Sequence, residues 1–235
     1  MAPKMGRLED WLTSPSRRPG QFARPLVTLS YAQSLDGSIA QRRGQPLALS
    51  GPESLALSHR LRAMHDAILV GIGTILADNP QLNVRLAEGE DPVVIILDSR
   101  LRFPLNAAAT REPERLRLFC TALADAQAQQ GLEQSGVQVE RQAANQSERV
   151  DLKTMLARLH EWGITSLMVE GGGQVMGSFL KENLVDRVAI TISPMYVGGY
   201  KALDGNIEFG GRLPRLRDLE FEKHGEDLVL WGDLA

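Results

Sequence analysis

The chain has 235 residues, of which 26 are basic, 29 are acidic and 43% are hydrophobic, and its net charge is −3. Because charges of both signs are interspersed, we expect no nucleic-acid partner, which would require clustered positive charge. No apolar run reaches the roughly 18 residues of a membrane span, and the N-terminus lacks a hydrophobic signal core. With Cys120 as the only cysteine, disulfides within the chain are excluded, so we expect a cytoplasmic protein.

Residues 1–24 mix prolines and arginines with one amphipathic fragment, Leu8, Trp11 and Leu12. We expect an N-terminal arm that either frays or packs on a neighbour.

The domain is predicted to begin with a buried strand over residues 25–31, which leads into the turn Ser34-Leu35-Asp36-Gly37. Ser50 and Glu53 have the spacing of a capping box, which predicts a helix with Ser50 as its N-cap. A second capped helix is predicted after Asp151, because an apolar stripe follows that residue at helical spacing.

Short continuous apolar runs predict further strands that are buried on both faces. The runs are residues 67–70, 93–97, 116–120, 137–139, 166–169 and 188–192. Helical patterns lie between several of them, at residues 122–130, 151–162 and 174–182. This alternation predicts a single α/β domain over residues 25–235, with a mostly parallel central sheet flanked by helices. Residues 220–231 are predicted to add a C-terminal antiparallel hairpin.

Three of the predicted strands end in glycine-rich or hydroxyl-bearing segments, after Val70, Leu97 and Val169. Ligands of parallel sheets bind at the carboxyl ends of the strands, so the three junctions predict a nucleotide-sized site. The run Val169-Glu170-Gly171-Gly172-Gly173 ends a strand and opens a helix, whose first amides and dipole favour an anion such as phosphate. The alternative is a tight turn that uses glycine for geometry only.

Other common motifs are incomplete. The run that starts at Gly71 has Leu76 where the third glycine of a dinucleotide fingerprint belongs, and no Gly-Lys-Ser/Thr phosphate loop occurs. The four histidines are scattered and there is one cysteine, so we predict no metal site.

Four runs of the chain, taken in order, resemble the reductase of riboflavin biosynthesis. They are Val27-Thr28-Leu29-Ser30 with Ser34-Leu35-Asp36-Gly37, Leu69-Val70-Gly71-Ile72-Gly73-Thr74-Ile75-Leu76-Ala77-Asp78-Asn79-Pro80, Leu97-Asp98-Ser99-Arg100, and Val169-Glu170-Gly171-Gly172-Gly173 with Leu184-Val185-Asp186. That reductase is the C-terminal half of a bifunctional bacterial deaminase-reductase and a free-standing protein in archaea. The His-x-Glu and Pro-Cys-x-x-Cys elements of the zinc deaminase are missing, so the resemblance implies a stand-alone reductase.

The resemblance implies a dihydrofolate-reductase-like fold and a homodimer that uses NADPH to reduce the ribosyl group of a pyrimidine phosphoribosylamine to ribityl. Residues implied to bind the cofactor are Gly71, Gly73, Thr74, Ser99, Arg100, Gly171, Gly172 and Gly173. A hydroxyl and a guanidinium, as at Ser99 and Arg100, are also groups that bind a phosphate monoester well.

For the substrate, the resemblance implies that Asp78 binds ribose hydroxyls or moves a proton at the ring oxygen, and that Arg85 holds the ribose phosphate. Arg62 is a second candidate for the phosphate. Glu170, beside the expected nicotinamide, is predicted to orient substrate or shuttle a proton, the alternative being that it caps the next helix.

The sequence departs from the family pattern at Asn79, at Leu82-Asn83, at Ser30 and in the loop Gln45-Pro46-Leu47-Ala48. Two other hypotheses therefore stay open. One is a reductase with the same fold and cofactor acting on another small substrate, because function lies in the site rather than the fold. The other is a non-catalytic NADPH-binding module.

Overall fold

A computed structural model of the chain describes residues 7–14, 23–203, 209 and 213–235. Most of the predicted N-terminal arm lies outside the described residues. Among the helices that are described, none is both long enough and apolar enough to cross a lipid bilayer.

The described residues form eleven strands and six α-helices. The strands are β1 (Leu26–Ser34), β2 (Ser38–Ala40), β3 (Ala67–Gly71), β4 (Val93–Leu97), β5 (Leu116–Thr121), β6 (Gln138–Gln142), β7 (Ser166–Gly171), β8 (Arg187–Ser193), β9 (Tyr200–Lys201), β10 (Leu216–His224) and β11 (Asp227–Leu234). The helices are α1 (Arg7–Thr13), α2 (Pro52–Ala63), α3 (Ile72–Asp78), α4 (Ala126–Gln134), α5 (Leu152–Glu161) and α6 (Gly173–Lys181).

Nine of these strands form one sheet in the order β10-β11-β8-β1-β7-β3-β4-β5-β6. The seven strands from β8 to β6 are parallel, whereas β11 runs antiparallel to β8 and pairs with β10 as a hairpin. The predicted α/β fold with a mostly parallel sheet and a C-terminal antiparallel hairpin is confirmed. Strands β2 and β9 form a separate two-stranded sheet.

Both faces of the central sheet are covered, which explains why its strands are continuous apolar runs. All five residues of β3 are buried. Ile68 and Val70 pack with α2, α3 and α4 on one face, while Ala67 and Leu69 pack with α5 and α6 on the other. Cys120 is also fully buried among apolar neighbours, as its position in a predicted strand indicated.

The capping box predicted at Ser50 is wrong. Helix α2 begins with Gly51 as its N-cap and Pro52 as its first residue, and no side chain caps it. Asp227, at the start of β11, accepts hydrogen bonds from the Gly51 amide (2.8 Å) and from the Ser54 hydroxyl. A contact between residues far apart in the sequence therefore decides where this helix begins.

Helix α4 begins four residues later than the helical pattern at residue 122 indicated. Thr121 forms a turn, in which its hydroxyl accepts the Leu123 amide at 3.3 Å. Asp125 is the N-cap and accepts the Gln127 and Ala128 amides at 2.6 and 3.1 Å. By contrast, Asp151 caps α5 through the Thr154 amide, as predicted.

Part of the predicted N-terminal arm packs on the domain itself. In α1, Leu8 is fully buried in the core on the α2 side of the sheet. The Trp11 ring lies 5.0 Å from the Arg187 guanidinium carbon and donates its indole N–H to Asp233 at 3.0 Å. Arg187 in turn donates to the Leu12 carbonyl at 2.6 Å. The boundary between arm and domain at residue 25 stays a prediction, but α1 contributes to the core.

We expect Leu8→Ala to lower the free energy of unfolding by about 2–5 kcal/mol, because it removes a buried side chain and leaves a cavity. Urea unfolding measures this change. Leu123→Ala, at an exposed leucine, is the control and should stay within about 0.5 kcal/mol of the parent. Equal stability of the two variants would contradict the packing of α1.

His65 is buried between α2 and β1. Its Nδ1 lies 2.7 Å from the Leu61 carbonyl oxygen and its Nε2 lies 2.9 Å from the Thr28 hydroxyl. Since a carbonyl only accepts, Nδ1 carries the hydrogen, and Nε2 accepts from Thr28 in the neutral ring. Burial lowers the pKa of His65 below its ordinary value of 6.5.

This lowered pKa predicts a pH-dependent stability. Below about pH 6.5 the unfolded ring binds a proton that the folded ring does not, so stability falls as the pH falls through that value. In urea unfolding between about pH 7 and about pH 5, we expect His65→Asn to show a shallower pH dependence than the parent. His160→Asn, at an exposed histidine of α5, should keep the parent slope. Identical slopes in His65→Asn and the parent would contradict the prediction.

Candidate active site

A cleft of about 810 Å³ lies at the carboxyl ends of β3, β4 and β7, where the sequence predicted the site. Its wall brings together eight of the predicted residues from three separate junctions. They are Gly71, Gly73, Thr74, Asp78, Ser99, Arg100, Gly172 and Gly173. Gly171 comes directly before this wall, at the end of β7, and the peptide bond between Gly171 and Gly172 is cis. Arg62, Arg85 and Glu170 do not line the cleft.

The glycines of the cleft wall differ in the structural reason for a glycine at each position. A Cβ on Gly71 would lie 2.7 Å from Cγ2 of Val175, and a Cβ on Gly173 would lie 3.0 Å from the Ala202 carbonyl oxygen. These two glycines are therefore needed for the close approach of chain segments within the protein. A Cβ on Gly73 would meet no protein atom within 4 Å, so that position faces open space.

Helix α6 presents its N-terminus to the cleft. It begins at Gly173, its N-cap is Gly172, and no side chain caps it. Gly173 and Gln174 both line the cleft. The free amides and the dipole of this end favour a negatively charged ligand. The sequence alternative in which Glu170 caps this helix is excluded, because the N-cap is Gly172.

The other end of the cleft is cationic. Arg100 is exposed there, and its guanidinium lies 3.6 Å from the Glu148 carboxylate. The hydroxyl of the neighbouring Ser99 is held in place by the main chain, because it accepts a hydrogen bond from the Val150 amide at 3.2 Å. Three further arginines line the cleft and were missed by sequence analysis, namely Arg43, Arg102 and Arg149. Only Arg102, two residues beyond Arg100, could have been found from spacing.

Asp98 lies beneath this cationic end and is only 1% exposed. Burial raises the pKa of its carboxyl, and Arg102, whose Nε lies 3.8 Å from Oδ1, acts in the opposite direction. The buried carboxylate offsets part of the positive charge of the arginines above it.

Asp78 is the last residue of α3 and lines the cleft. Burial raises the pKa of its carboxyl above the ordinary value of 3.8. The next residue, Asn79, ends the helix in a left-handed conformation with φ of 43°, and its side chain accepts the Ala108 amide at 2.7 Å. Asparagine tolerates that conformation well, so the departure from the family at Asn79 leaves Asp78 in place.

Glu170 and Arg62 form a buried ion pair beside the cleft. Nε of Arg62 donates to Oε1 of Glu170 at 2.6 Å, and Nη2 donates to Oε2 at 2.8 Å. Both side chains are under 15% exposed. Burial alone disfavours the charge of Arg62, but the Glu170 carboxylate raises the pKa of Arg62 above its ordinary value. The remaining Nη1 donates to the Asn83 carbonyl at 3.0 Å, so each nitrogen of the Arg62 guanidinium has a protein partner.

Arg85 lies in the loop that follows α3, with its side chain exposed. Its guanidinium donates to the Asn83 side-chain oxygen at 3.0 Å, and its amide donates to Nδ1 of His59 at 3.2 Å. Of the two arginines predicted for the substrate phosphate, Arg85 has the more accessible guanidinium, because Arg62 is paired with Glu170.

The sequence matches the family of the RibD C-terminal domain over residues 25–230. Over 186 residues it is 38% identical to the 2,5-diamino-6-ribosylamino-4(3H)-pyrimidinone 5′-phosphate reductase of Archaeoglobus fulgidus, covering 75% of this chain and 83% of that protein. The enzyme of the same name from Methanothermobacter thermautotrophicus is 37% identical over 214 residues, covering 88% and 97% of the two chains.

Solved structures show the same relationship. The riboflavin biosynthesis reductase Rib7 of Saccharomyces cerevisiae superposes with a TM-score of 0.71 at 30% identity, covering 92% of each chain. RibD of Acinetobacter baumannii gives a TM-score of 0.78 at 27% identity, and the match spans 59% of its length. A dihydrofolate reductase from Enterococcus faecalis, at 14% identity and a TM-score of 0.52, shares the fold. The fold, the cleft at the carboxyl edge of its sheet and these similarities agree with one another. The chain belongs to the RibD C-terminal domain family of reductases.

Proposed function

We propose that the chain is an NADPH-dependent reductase of riboflavin biosynthesis. It reduces the ribosyl group of 5-amino-6-(5-phosphoribosylamino)uracil, or of its 2,5-diamino-pyrimidinone counterpart, to ribityl. Family membership and the names of the archaeal relatives support this proposal. The observation that carries it is that Asp78, a carboxyl group with a raised pKa, shares one cleft with an uncapped helix N-terminus and a cluster of arginines.

The cleft fits a phosphorylated dinucleotide. The N-terminus of α6 would hold the pyrophosphate, and the open space at Gly73 gives room for a ligand next to the backbone. Ser99 and Arg100 would face the adenosine 2′-phosphate, and Arg102 and Arg149 add positive charge at that end. Bound NADPH supplies the hydride that reduces C1 of the ribosyl group.

Asp78 is proposed to act at the oxygen that C1 releases when the ribose ring opens. Partial desolvation by the cleft wall raises the pKa of its carboxyl, the direction that favours the acid form from which a proton is donated. The same carboxyl group can bind ribose hydroxyls before the reaction. Although the cleft wall partly desolvates the carboxyl group, the Asp78 side chain is accessible from the cleft and so can reach the substrate.

Arg85 is proposed to hold the substrate phosphate, since its guanidinium is exposed and directed by Asn83. Glu170 and Arg62 are proposed to orient the site through their mutual ion pair, because each Glu170 carboxylate oxygen accepts from Arg62. The family resemblance also supports a cytoplasmic homodimer without nucleic-acid or membrane partners.

The proposed function is tested by measuring NADPH oxidation with each of the two pyrimidine phosphoribosylamines, aminated and deaminated, beside NADPH binding without substrate. Turnover of either substrate supports the proposal and identifies which one is reduced. Tight NADPH binding with turnover of neither would favour a reductase of the same fold that acts on another substrate.

We expect Asp78→Asn to lower kcat at least about 100-fold, because an amide is too weak an acid to transfer a proton to the ring oxygen. The dissociation constant for NADPH should stay within about twofold of the parent, because the uncharged amide has nearly the same size. Asp125→Asn is the matched control, since asparagine still caps α4 and that residue lies outside the cleft. An unchanged kcat in Asp78→Asn would remove this residue from the proposed mechanism.

Arg100→Ala should weaken NADPH binding about tenfold while NADH binding stays nearly constant, because only NADPH carries the 2′-phosphate that the guanidinium would bind. Fluorescence titration with both cofactors measures the ratio. Arg111→Ala, at an exposed arginine outside the cleft, should leave both constants unchanged. Equal losses for NADPH and NADH would place the 2′-phosphate elsewhere.

A further inference from the structure

The short loop that carries Arg85 is fastened to α2 by two side chains of that helix. The His59 ring accepts the Arg85 amide through Nδ1 at 3.2 Å, and Arg62 donates to the Asn83 carbonyl at 3.0 Å. These two residues are three positions apart, so they project from the same face of the helix. A third bond, from the Val84 amide to the Asp91 carboxylate at 2.5 Å, fixes the far side of the loop.

His59 is suited to hold one main-chain position because its side chain is shielded from solvent. The side chain is fully buried. Burial, with the nearby Arg62 and Arg85 cations, lowers the pKa of His59 to about 4, so the ring is neutral near pH 7. Since the Arg85 amide donates to Nδ1, the neutral ring is the tautomer that carries its hydrogen on Nε2 and a lone pair on Nδ1.

The Arg85 guanidinium is also directed from within the loop. Asn83 accepts it on its side-chain oxygen at 3.0 Å, while the Asn83 carbonyl is held by Arg62. Two of the three bonds that hold the loop therefore involve side chains of α2, and one of these side chains, Arg62, is bound to Glu170 at the end of β7. A displacement of the loop main chain would carry the guanidinium with it.

We propose that His59 is a positioning residue that sets the place of the Arg85 main chain and, through it, of the guanidinium that receives the substrate phosphate. This inference rests on the proposed function, because it assigns a phosphorylated substrate to Arg85. His59 itself touches neither substrate nor cofactor in this proposal. Its contribution lies in substrate affinity, not in the hydride or proton transfer.

The test compares two amides at the same position. His59→Asn places its side-chain oxygen close to where Nδ1 lies, so it can still accept the Arg85 amide. His59→Gln places its oxygen one bond farther out, near the position of Nε2, and loses that bond. We expect His59→Gln to raise KM for the pyrimidine phosphoribosylamine about tenfold, while His59→Asn stays within about threefold of the parent.

Two further measurements separate this role from a general structural one. Both variants should keep kcat and the NADPH dissociation constant within about twofold of the parent. In a protein that already carries Arg85→Ala, His59→Gln should raise KM no further, because the group through which it acts has been removed. His160→Gln, on the exposed face of α5, is the matched control.

Several outcomes would overturn the inference. Equal KM in His59→Gln and His59→Asn would show that the bond to the Arg85 amide does not set substrate affinity. Additive effects of His59→Gln and Arg85→Ala would show that His59 acts elsewhere. If the parent protein oxidised NADPH with neither pyrimidine phosphoribosylamine, that result would instead contradict the proposed function, and this inference would fail with it.

Discussion

A largely buried ion pair between Arg62 and Glu170 ties together helix α2, strand β7 and the loop that carries Arg85. Glu170 stands near the end of strand β7 and Arg62 lies in helix α2, and the Arg62 guanidinium also donates to the Asn83 carbonyl. Burial makes such a pair a weak source of net stability, because both charges lose their hydration. Removal of either partner alone would nevertheless cost about 3–5 kcal/mol, since the other charge would stay buried without compensation. The pair therefore fixes geometry more than it adds stability.

The cleft next to this pair is built from segments that the chain brings together at one edge of the sheet. Parallel strands place all their carboxyl ends on the same side, and the loops that follow them form the walls. Glycine has two roles there. Gly71 and Gly173 allow protein segments to approach one another, whereas Gly73 faces open space. Gly71 at the end of β3 and Gly173 at the start of α6 are thus packing glycines, whereas the open space lies at Gly73 in α3.

Charge within the cleft is divided between its two ends. The arginine-rich end near Arg100 and the uncapped N-terminus of α6 both favour negative groups of a ligand. Asp78 introduces a carboxyl group whose raised pKa suits a proton donor. The negative side chains Asp98 and Glu148 lie close to the arginines and limit the excess positive charge where no ligand is bound.

The architecture could be predicted from local sequence patterns, because strands buried on both faces must be continuous apolar runs and these runs alternate with helical patterns. Strand ends can be recognised locally, so the three junctions of the cleft could be predicted as well, whereas Gly73, Asp78, Ser99 and Arg100 were singled out by the resemblance to the family. Only the tertiary structure decided how Arg62 is used, because its partner Glu170 is 108 positions away in the sequence. The same is true of the arginines from separate loops, of the start of α2 and of the burial of α1. Each of these depends on a contact between distant segments, and no local pattern of residues encodes such a contact.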